Sequence, residues 1–314
     1  MTTLSESNLF ITGGTGFIGS HIIKYALDHG MRVICYGRSI DNIRAMFGDS
    51  VIPTTSFEHT GIDYIIHAAC PTSSNEMSVN PIGVIDAIYA LTKSSLDLAK
   101  RNDARYVFLS SMEVYDNLSG LVDESMVGGF DLSKSRSSYP VGKQLAELMV
   151  NSYHNEYGTD TCVLRLSQIF GPGVRYDDAR FFNFVIKKCL YSDPIVLKST
   201  GEKWHNSCYI DDAVYYIMNI MTSDTNNTFN VTNELYCDSI NNLTNHIIQI
   251  LNSSSTLSHD IETDTIYRPD SQYKISGAKI QHMFPSHQME TFDNAIKYTA
   301  EYLAKLQTVH NGRG

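Results

Sequence analysis

The sequence of 314 residues contains no apolar run of the length, about 18 residues, that a membrane-spanning helix needs. Its first eight residues are mostly polar and lack the charged and apolar segments of a secretory signal. We therefore expect a protein of the cytoplasm that does not bind membranes.

Cysteine pairs with the spacing of metal ligands or redox motifs are also missing. The six cysteines are scattered along the chain, without a C-x-x-C motif or a Cys/His pairing. This pattern predicts buried thiols in a reducing compartment, and it predicts no metal site.

Positive charge is scarce, because 24 Lys and Arg residues face 34 Asp and Glu residues, for a net charge of -10. No cluster of Lys and Arg offers a stripe for a nucleic-acid backbone, so we expect no nucleic-acid partner. An acidic protein can still bind an anionic nucleotide through a few cations and backbone N–H groups.

What the sequence does contain is a glycine-rich turn near its N-terminus. Residues 9–20 have the sequence LFITGGTGFIGS, in which a short apolar strand leads into G-x-x-G-x-x-G, and residues 17–28 have the periodicity of a helix. Gly13 would make the turn, Gly16 would admit a pyrophosphate, and Gly19 would let helix and strand pack closely. For this motif alone, a turn without a ligand is the alternative.

Strand and helix patterns alternate through the first half of the chain. Such alternation predicts an α/β fold with a doubly wound parallel sheet of the Rossmann type, followed by a smaller mixed α/β C-terminal lobe. We assign residues 1–168 and about 206–235 to a dinucleotide-binding domain, and about 169–205 and 236–314 to a substrate-binding lobe.

The residues after the second predicted strand, 32–36, decide which dinucleotide binds. NAD-binding proteins place an acidic residue there for the ribose 2′-hydroxyl, whereas this chain has Gly37-Arg38-Ser39. Arg38 suits the 2′-phosphate of NADP, but an Arg can also stack on the adenine or remain solvated. NAD and NADP both stay open.

A second motif lies in the middle of the chain. Tyr139-Pro140-Val141-Gly142-Lys143 follows Ser110-Ser111 by about thirty residues, and a helix would point Tyr139 and Lys143 into the same cleft. Together with the glycine turn, these residues resemble the extended short-chain dehydrogenase/reductase family, in its nucleotide-sugar epimerase/dehydratase branch. The resemblance covers nearly the whole chain. The cofactor-binding positions that it implies are Gly13, Thr15, Gly16, Phe17, Ile18, Gly19, Arg38, Ala68, Ala69, Tyr139 and Lys143.

The resemblance also implies the catalytic chemistry. A tyrosine hydroxyl with an ordinary pKa near 10 is a poor base, and Lys143 and a positive nicotinamide ring would favour the tyrosinate of Tyr139. Ser111 would hydrogen-bond the reacting oxygen. The expected step removes a proton from a sugar hydroxyl, usually at C4 in the family, while hydride passes to the nicotinamide.

Two departures from the family pattern narrow the reaction. Family dehydratases have T-D-E where this chain has Ser111-Met112-Glu113, and Met112 cannot protonate a leaving hydroxyl. Two roles stay open for Glu113, as a base that acts beside a 4-keto group or as a structural residue of a turn. Where the family has an Arg on a pyrophosphate or a carboxylate, this chain has His205, whose charge is conditional. The implied substrate-binding residues are Ser111, Met112, Gln168, Arg175, Arg180 and His205, with Lys203 and Arg268 as further phosphate candidates.

These residues favour a C4 epimerase or a C4 dehydrogenase/reductase acting in surface-polysaccharide sugar biosynthesis. A nucleotide-sugar 4,6-dehydratase or a uronate decarboxylase is the alternative within the family. A reductase of small ketones and a cofactor-binding protein without turnover are alternatives of other classes. The resemblance further implies a homodimer formed through the helix at 84–101 and the helix that bears Tyr139 and Lys143.

Overall fold

The structure is a computed structural model that describes residues 4–261 and 272–311. Arg268, one of the phosphate candidates, lies outside the described residues. The chain forms two compact units, of which the first comprises Met1–Asp116, Val127–Leu166 and Val214–Asn230, and the second Asn117–Met126, Ser167–Ala213 and Val231–Gly314. The assignment of cofactor and substrate binding to two domains with the boundaries given above stays a prediction.

The strands of the described residues, numbered along the chain, are β1 (Asn8–Thr12), β2 (Arg32–Tyr36), β3 (Ile52–Thr54), β4 (Tyr64–His67), β5 (Arg105–Ser111), β6 (Gly120–Val122), β7 (Thr161–Leu166), β8 (Gln168–Phe170), β9 (Ile195–Leu197), β10 (Trp204–His205), β11 (Ser207–Tyr209), β12 (Thr228–Val231), β13 (Asp238–Ser239), β14 (Leu257–His259) and β15 (Tyr273–Ile275). The α-helices are α1 (Phe17–Asp28), α2 (Ile40–Phe47), α3 (Ser74–Val79), α4 (Pro81–Asn102), α5 (Ser138–Tyr157), α6 (Phe181–Leu190), α7 (Ile210–Met221), α8 (Ile240–Ile250), α9 (Ala278–Met283) and α10 (Phe292–Asn311). Short 3-10 turns include Met112–Tyr115 and Ser135–Ser137.

The first unit is built on a seven-stranded sheet in the order β3-β2-β1-β4-β5-β7-β12. The pairings from β3 through β7 are all parallel. The chain moves outward from β1 to β3 and then returns to β4 on the other side of β1, so the order reverses between β1 and β4. This arrangement confirms the predicted doubly wound sheet, whose ligands bind beyond the carboxyl ends of the strands at such a switch point.

Several elements of this unit begin and end at the residues that the sequence predicted. They are α1, β2, β7 and β12. Their sequences are strongly periodic or continuously apolar, as in β1, where Leu9, Phe10 and Ile11 are fully buried. Such runs are typical of parallel strands covered by helices on both faces.

The sequence interpretation was wrong where elements are short or polar. The sequence of residues 41–61 was interpreted as irregular with a weak strand at about 51–54. The structure has that strand as β3, but α2 begins at Ile40, where the Ser39 hydroxyl accepts a hydrogen bond from the Asn42 N–H. Only Ile43 of this short helix is buried. The chain was also expected to fray after about Leu306, whereas α10 continues to Asn311.

The second unit contains short two-stranded ladders and helices, which confirms a smaller mixed α/β lobe. Three of the ladders, β8 with β11, β9 with β14 and β6 with β15, are parallel, and β10 with β13 is antiparallel. The strand β14 lies partly in a Ser/Asn-rich tract, residues 252–258, that was expected to be a loop. In the core of the unit, the rings of Phe170 and Phe182 stack with centroids 3.9 Å apart.

Within the described ranges, no helix combines the length and the hydropathy that crossing a bilayer requires. The same residues contain no group of three or more His, Cys, Asp or Glu side chains arranged to hold a metal ion.

Candidate active site

The glycine turn lies at the switch point between β1 and β4. Gly13 has a φ of +73°, and a Cβ on it would lie 2.7 Å from the Ala69 nitrogen, while a Cβ on Gly19 would lie 2.2 Å from the Gly13 oxygen. The backbone of the turn is therefore in contact with the backbone that follows β4 and with the backbone of α1. The helix α1 starts after Gly16 with no side chain bonded to its first N–H groups, so these donors can bind a pyrophosphate. The turn fits a dinucleotide.

The floor of this cradle is held by a buried histidine. The Thr12 hydroxyl lies 2.7 Å from Nδ1 of His67 and accepts a hydrogen bond from the Ala69 N–H at 3.1 Å. Nε2 of His67 lies 3.2 Å from the Thr92 hydroxyl. Burial lowers the pKa of His67 to about 3, so the ring is neutral. These contacts fix the end of β4, where Ala68 and Ala69 leave room for a cofactor.

The remaining cofactor candidates lie along the same edge of the sheet. Thr15 is exposed in the turn, and Phe17 and Ile18 are partly buried at the start of α1. Arg38 is exposed after β2, whose last residue, Tyr36, is paired in register with Thr12 of β1.

Three catalytic candidates, Ser111, Tyr139 and Lys143, meet at the carboxyl end of β5. Ser111 ends the strand, and its hydroxyl accepts the Glu113 N–H at 3.2 Å and hydrogen-bonds Tyr139. Tyr139 and Lys143 are only 7% and 4% exposed on α5. Nζ of Lys143 lies 5.9 Å from the centre of the Tyr139 ring and donates to the Leu109 carbonyl at 2.8 Å. The set is compact and sheltered from water.

The two adjacent serines have different surroundings. Successive side chains of a strand point to opposite faces, and the Ser110 hydroxyl donates to the buried Glu147 carboxylate at 2.5 Å. Ser111 contacts Tyr139 instead. Only the second serine is therefore in a position to touch a substrate bound beside Tyr139.

Without a cofactor, the surroundings of Tyr139 favour its protonated form. Burial raises its pKa well above 10, and the neighbouring Cys70 and Glu113 raise it further. The hydrogen bond with Ser111 and the charge of Arg136 act in the opposite direction. Desolvation is the largest of these effects, and the expectation that Lys143 and a bound nicotinamide favour the tyrosinate stays a prediction.

Glu113 is held in an ion pair that sequence reasoning missed. Nη2 of Arg136 donates to both oxygens of the Glu113 carboxylate at 2.9 Å, and both side chains are mostly buried. Arg136 lies in the 3-10 turn that precedes α5, and its guanidinium carbon lies 5.9 Å from the centre of the Tyr139 ring. Its only signal in the sequence is its position three residues before Tyr139.

A buried network supports the turn that carries Met112 and Glu113. Arg165 donates to the Glu147 carboxylate at 2.8 Å and to the Tyr115 hydroxyl at 2.9 Å. Tyr115, at the end of the turn, in turn donates to the Asn230 side chain at 2.7 Å. The network ties this turn to α5, β7 and β12 of the same unit.

The other substrate candidates belong to the second unit. Gln168 begins β8, and its N–H donates to the Asn206 carbonyl at 3.0 Å. Arg175 is bound to Asp177 at 2.7 Å, and Arg180 to Asp178 at 2.5 Å. Gln168 and Arg180 line one small cleft together with Asn183, a residue that the sequence analysis did not single out. These residues lie in one unit, and their substrate role stays a prediction.

His205, at the position of the family arginine, is neutral. Its ring lies 4.9 Å from that of Phe181 and 5.3 Å from that of Phe182. Burial, and to a smaller extent Lys203, lower its pKa to about 3. Its Nδ1 is buried and has no hydrogen-bond partner among the described residues. A neutral ring offers at most one donor to an anion, so His205 does not replace an arginine electrostatically.

These features can be compared with known proteins. The model of the NAD dependent epimerase/dehydratase family matches residues 9–232, which include the glycine turn and the set Ser111, Tyr139 and Lys143. The chain belongs to this family. The family resemblance stated from the sequence is thus confirmed.

Within the family, the chain is 29% identical over 240 residues to UDP-glucuronic acid decarboxylase 6 of Arabidopsis thaliana, covering 73% of this chain and 70% of the relative. In fold it is similar to UDP-glucose 4-epimerase of Thermotoga maritima, with a TM-score of 0.82, 19% identity and coverage of 96% and 99% of the two chains. It is also similar to UDP-glucuronic acid 4-epimerase of Bacillus cereus, with a TM-score of 0.77, 20% identity and coverage of 95% and 99%.

Proposed function

We propose that this protein is an NAD(P)-dependent enzyme that oxidises and reduces C4 of a nucleotide-activated sugar, as an epimerase or as a dehydrogenase/reductase in surface-polysaccharide sugar biosynthesis. The observation that carries the proposal is the meeting of Ser111, Tyr139 and Lys143 at the carboxyl end of β5, in the unit that also contains the dinucleotide turn.

Each residue has a role that follows from its position. Ser111 holds the reacting sugar oxygen by a hydrogen bond, and Tyr139 takes or returns the proton of that oxygen. Lys143 keeps a positive charge one helical turn from Tyr139, and the burial of both groups excludes water. A bound nicotinamide supplies the hydride acceptor or donor.

The neighbours of this set favour redox chemistry at C4 over reactions at C5 or C6. Met112 has no proton to give to a leaving hydroxyl. Both carboxylate oxygens of Glu113 already accept hydrogen bonds from Arg136. Oxidation and reduction at C4 need neither group.

A uronate decarboxylase is the second candidate. The Nη1 atom of Arg136 is buried and has no hydrogen-bond partner among the described residues, and a guanidinium with a free donor can bind the carboxylate of a uronic acid. The Arabidopsis relative named above is a UDP-glucuronic acid decarboxylase. In this case Arg136 replaces the arginine that the family has at the position of His205.

The nucleotide-sugar substrate would be recognised by the second unit. Gln168, Arg180 and His205 are the proposed contacts, supported by the cleft that Gln168 and Arg180 share. Arg175 and Arg180 are each paired with an Asp, so a phosphate that binds either guanidinium competes with that carboxylate.

The test is a product survey. The purified protein is incubated with UDP-, dTDP-, GDP- and CDP-hexoses, their 4-keto-6-deoxy forms and UDP-glucuronate, each with NAD or NADP, and the sugars are read by proton NMR. A new C4 epimer without net cofactor change supports an epimerase, and a product matched by cofactor consumption supports a dehydrogenase/reductase. If CO₂ is released from UDP-glucuronate and no other sugar reacts, the protein is a uronate decarboxylase. No new sugar in any mixture contradicts the proposal.

We also propose that the protein forms a homodimer through α4 and α5. These helices expose large apolar side chains that line a common surface cleft, namely Tyr89, Leu145 and Leu148. Leu148→Glu should convert a dimer to a monomer in light scattering after gel filtration, because it places a charge in the buried interface. Leu235→Glu, at an exposed leucine of the second unit, is the control and should stay dimeric. A monomeric wild type contradicts this proposal.

A further inference from the structure

We propose that Gln144 is a positioning residue of the candidate active site, which holds the 3-10 turn Met112–Tyr115 against the helix α5. This turn carries Glu113 and directly follows Ser111. The inference rests on the proposed function, since it adds a residue to the machinery of the same site.

Gln144 donates hydrogen bonds from α5 to two segments that are distant from it in sequence. Its Nε2 atom lies 3.3 Å from the Val114 carbonyl oxygen and 3.0 Å from the Gly128 carbonyl oxygen. An amide NH₂ group has two protons, so this one side chain serves both acceptors. Val114 belongs to the turn, and Gly128 belongs to the segment by which the chain returns to the first unit at Val127. The side chain therefore joins α5, the turn and the returning segment.

The turn and the returning segment are in direct backbone contact. The Gly128 N–H donates to the Val114 carbonyl at 2.7 Å, and a Cβ on Gly128 would lie 2.0 Å from the Asp116 carbonyl oxygen. The residues between these segments, Asn117–Met126, belong to the second unit. The chain thus leaves and re-enters the first unit at one place, and Gln144 donates to both segments there.

The position of this turn affects the distance between the serine and the tyrosine of the site. The Ser111 hydroxyl accepts the Glu113 N–H at 3.2 Å and hydrogen-bonds Tyr139, so a shift of the turn displaces the hydroxyl that contacts the tyrosine. Tyr139 and Gln144 lie on the same helix. Because Gln144 ties that helix to the turn, it fixes the serine relative to the tyrosine. A displacement of about 1 Å can cost about a hundredfold in rate even when the altered residue is far from the reacting atoms.

Other contacts hold the side chains of the turn, and Gln144 holds its main chain. Arg136 donates to the Glu113 carboxylate, and Arg165 donates to the Tyr115 hydroxyl. The carbonyl that Gln144 binds lies between these two residues, at Val114, which is fully buried. A buried carbonyl that loses a donor has little water to replace it, so removal of the amide should loosen the turn at this point.

The first experiment compares the wild type with Gln144→Met in the purified full-length protein. Met has nearly the size of Gln and no proton to donate. Hydrogen exchange of the backbone amides is followed by mass spectrometry in peptides that cover residues 112–128. Exchange in these peptides should accelerate about tenfold, the scale of one lost hydrogen bond. The melting temperature should stay close to that of the wild type, because the side chain is only partly buried.

The second measurement is the kinetics of the nucleotide sugar that the product survey identifies. The kcat of Gln144→Met should fall about ten- to a hundredfold. The KM and the dissociation constant of the dinucleotide should stay within about twofold of the wild type, because a displaced catalytic group weakens the reaction step and not ground-state binding. A residue that only supports the fold would instead change the melting temperature and leave kcat unaltered.

Two further variants serve as controls. Gln144→Arg keeps N–H donors at this position and should retain the wild-type kcat within about threefold. Asn151→Met removes an exposed amide two helical turns along α5 and should change neither exchange nor kcat. Unchanged exchange or unchanged kcat in Gln144→Met, or equal effects of Asn151→Met, overturns the inference and leaves the proposed function standing. If the wild type converts no nucleotide sugar, the proposed function fails, and the exchange measurement alone decides whether Gln144 holds the turn.

Discussion

The ion pair that supports the catalytic candidates and the ion pairs of the arginines proposed to bind substrate are held in different ways. In the first unit, Arg165 and Glu147 are 5% and 8% exposed and are far apart in sequence. In the second unit, Arg175 is 83% exposed and is paired with Asp177, two residues along the chain. Arg180 and Asp178 repeat this local pairing.

The difference agrees with the proposal that the first unit carries the chemistry and the second unit binds the substrate. Long-range buried pairs fix the turn and the helix that carry the catalytic candidates, and such groups need little reorganisation when they act. Local exposed pairs break at little cost, because water and salt screen them. We infer that the first unit is preorganised for its reaction, and that the second unit rearranges its charges when it binds an anion.

The largest effect is expected from breaking the buried pair. Glu147→Leu leaves the Arg165 guanidinium buried without its carboxylate and removes the acceptor of Ser110. The free energy of unfolding should fall by about 3–5 kcal/mol, as measured by urea denaturation. The control in the other unit is Asp177→Ala, which removes the partner of the exposed Arg175 and should leave this energy unchanged within experimental error. Similar losses for both variants would show that the two units do not differ in this way.

The second prediction separates catalysis from stability within the first unit. Tyr139→Phe removes the hydroxyl that exchanges the proton and keeps the buried ring. Turnover should fall at least about a hundredfold, while cofactor binding and the unfolding midpoint stay close to those of the wild type. Turnover is followed by NMR and binding by calorimetry. Unchanged turnover would support a protein that binds its cofactor without catalysis.

The third prediction compares a buried histidine of the first unit, His67, with a partly buried one of the second, His205. The pKa values of His67 and His205 are lowered to about 3 in the fold, against an ordinary value of 6.5. Below pH 6.5 the unfolded chain binds protons that the folded chain does not, so the stability present above pH 6.5 is lost as the pH falls toward 3. Each histidine should cost about 2 kcal/mol of unfolding free energy between pH 7 and pH 5.

The measurement is urea denaturation of the wild type and of His205→Phe at both pH values. Between pH 7 and pH 5, the unfolding free energy of the variant should fall by about 2 kcal/mol less than that of the wild type. It should also keep its stability at pH 7, since the buried Nδ1 of His205 has no partner among the described residues. His282→Gln, at an exposed histidine, is the control. A pH dependence in His205→Phe equal to that of the wild type would refute the prediction.

The smallest effect is expected at Arg175. Its guanidinium is neutralised by Asp177 and hydrated, so Arg175→Ala should raise the KM for the nucleotide sugar less than about threefold, the scale of a surface ion pair. Arg180→Ala, whose side chain lines the cleft with Gln168, should have the larger effect. A greater rise in KM for Arg175→Ala would show that this arginine leaves Asp177 to bind the substrate.

The sequence predicted the elements whose signals are local. The bounds of α1 and β2 followed from periodicity, from apolar runs and from the glycine turn between strand and helix. It missed α2, which buries only Ile43, and β14, which exists through its pairing with β9. A short strand gains its stability from a partner that is distant in sequence, and a single chain segment carries no record of that partner.

The features of the candidate site also fall into those that local sequence predicted and those that depend on distant segments. The sequence by itself determined the dinucleotide turn, the spacing of Tyr139 and Lys143 and the missing carboxylate after β2, because these depend on neighbours within a few residues. Only the tertiary structure decided that Glu113 is paired with Arg136 and that burial raises the pKa of Tyr139. Ion pairing and desolvation depend on which groups the fold brings together and on how much water it removes, and both are fixed only when distant segments pack.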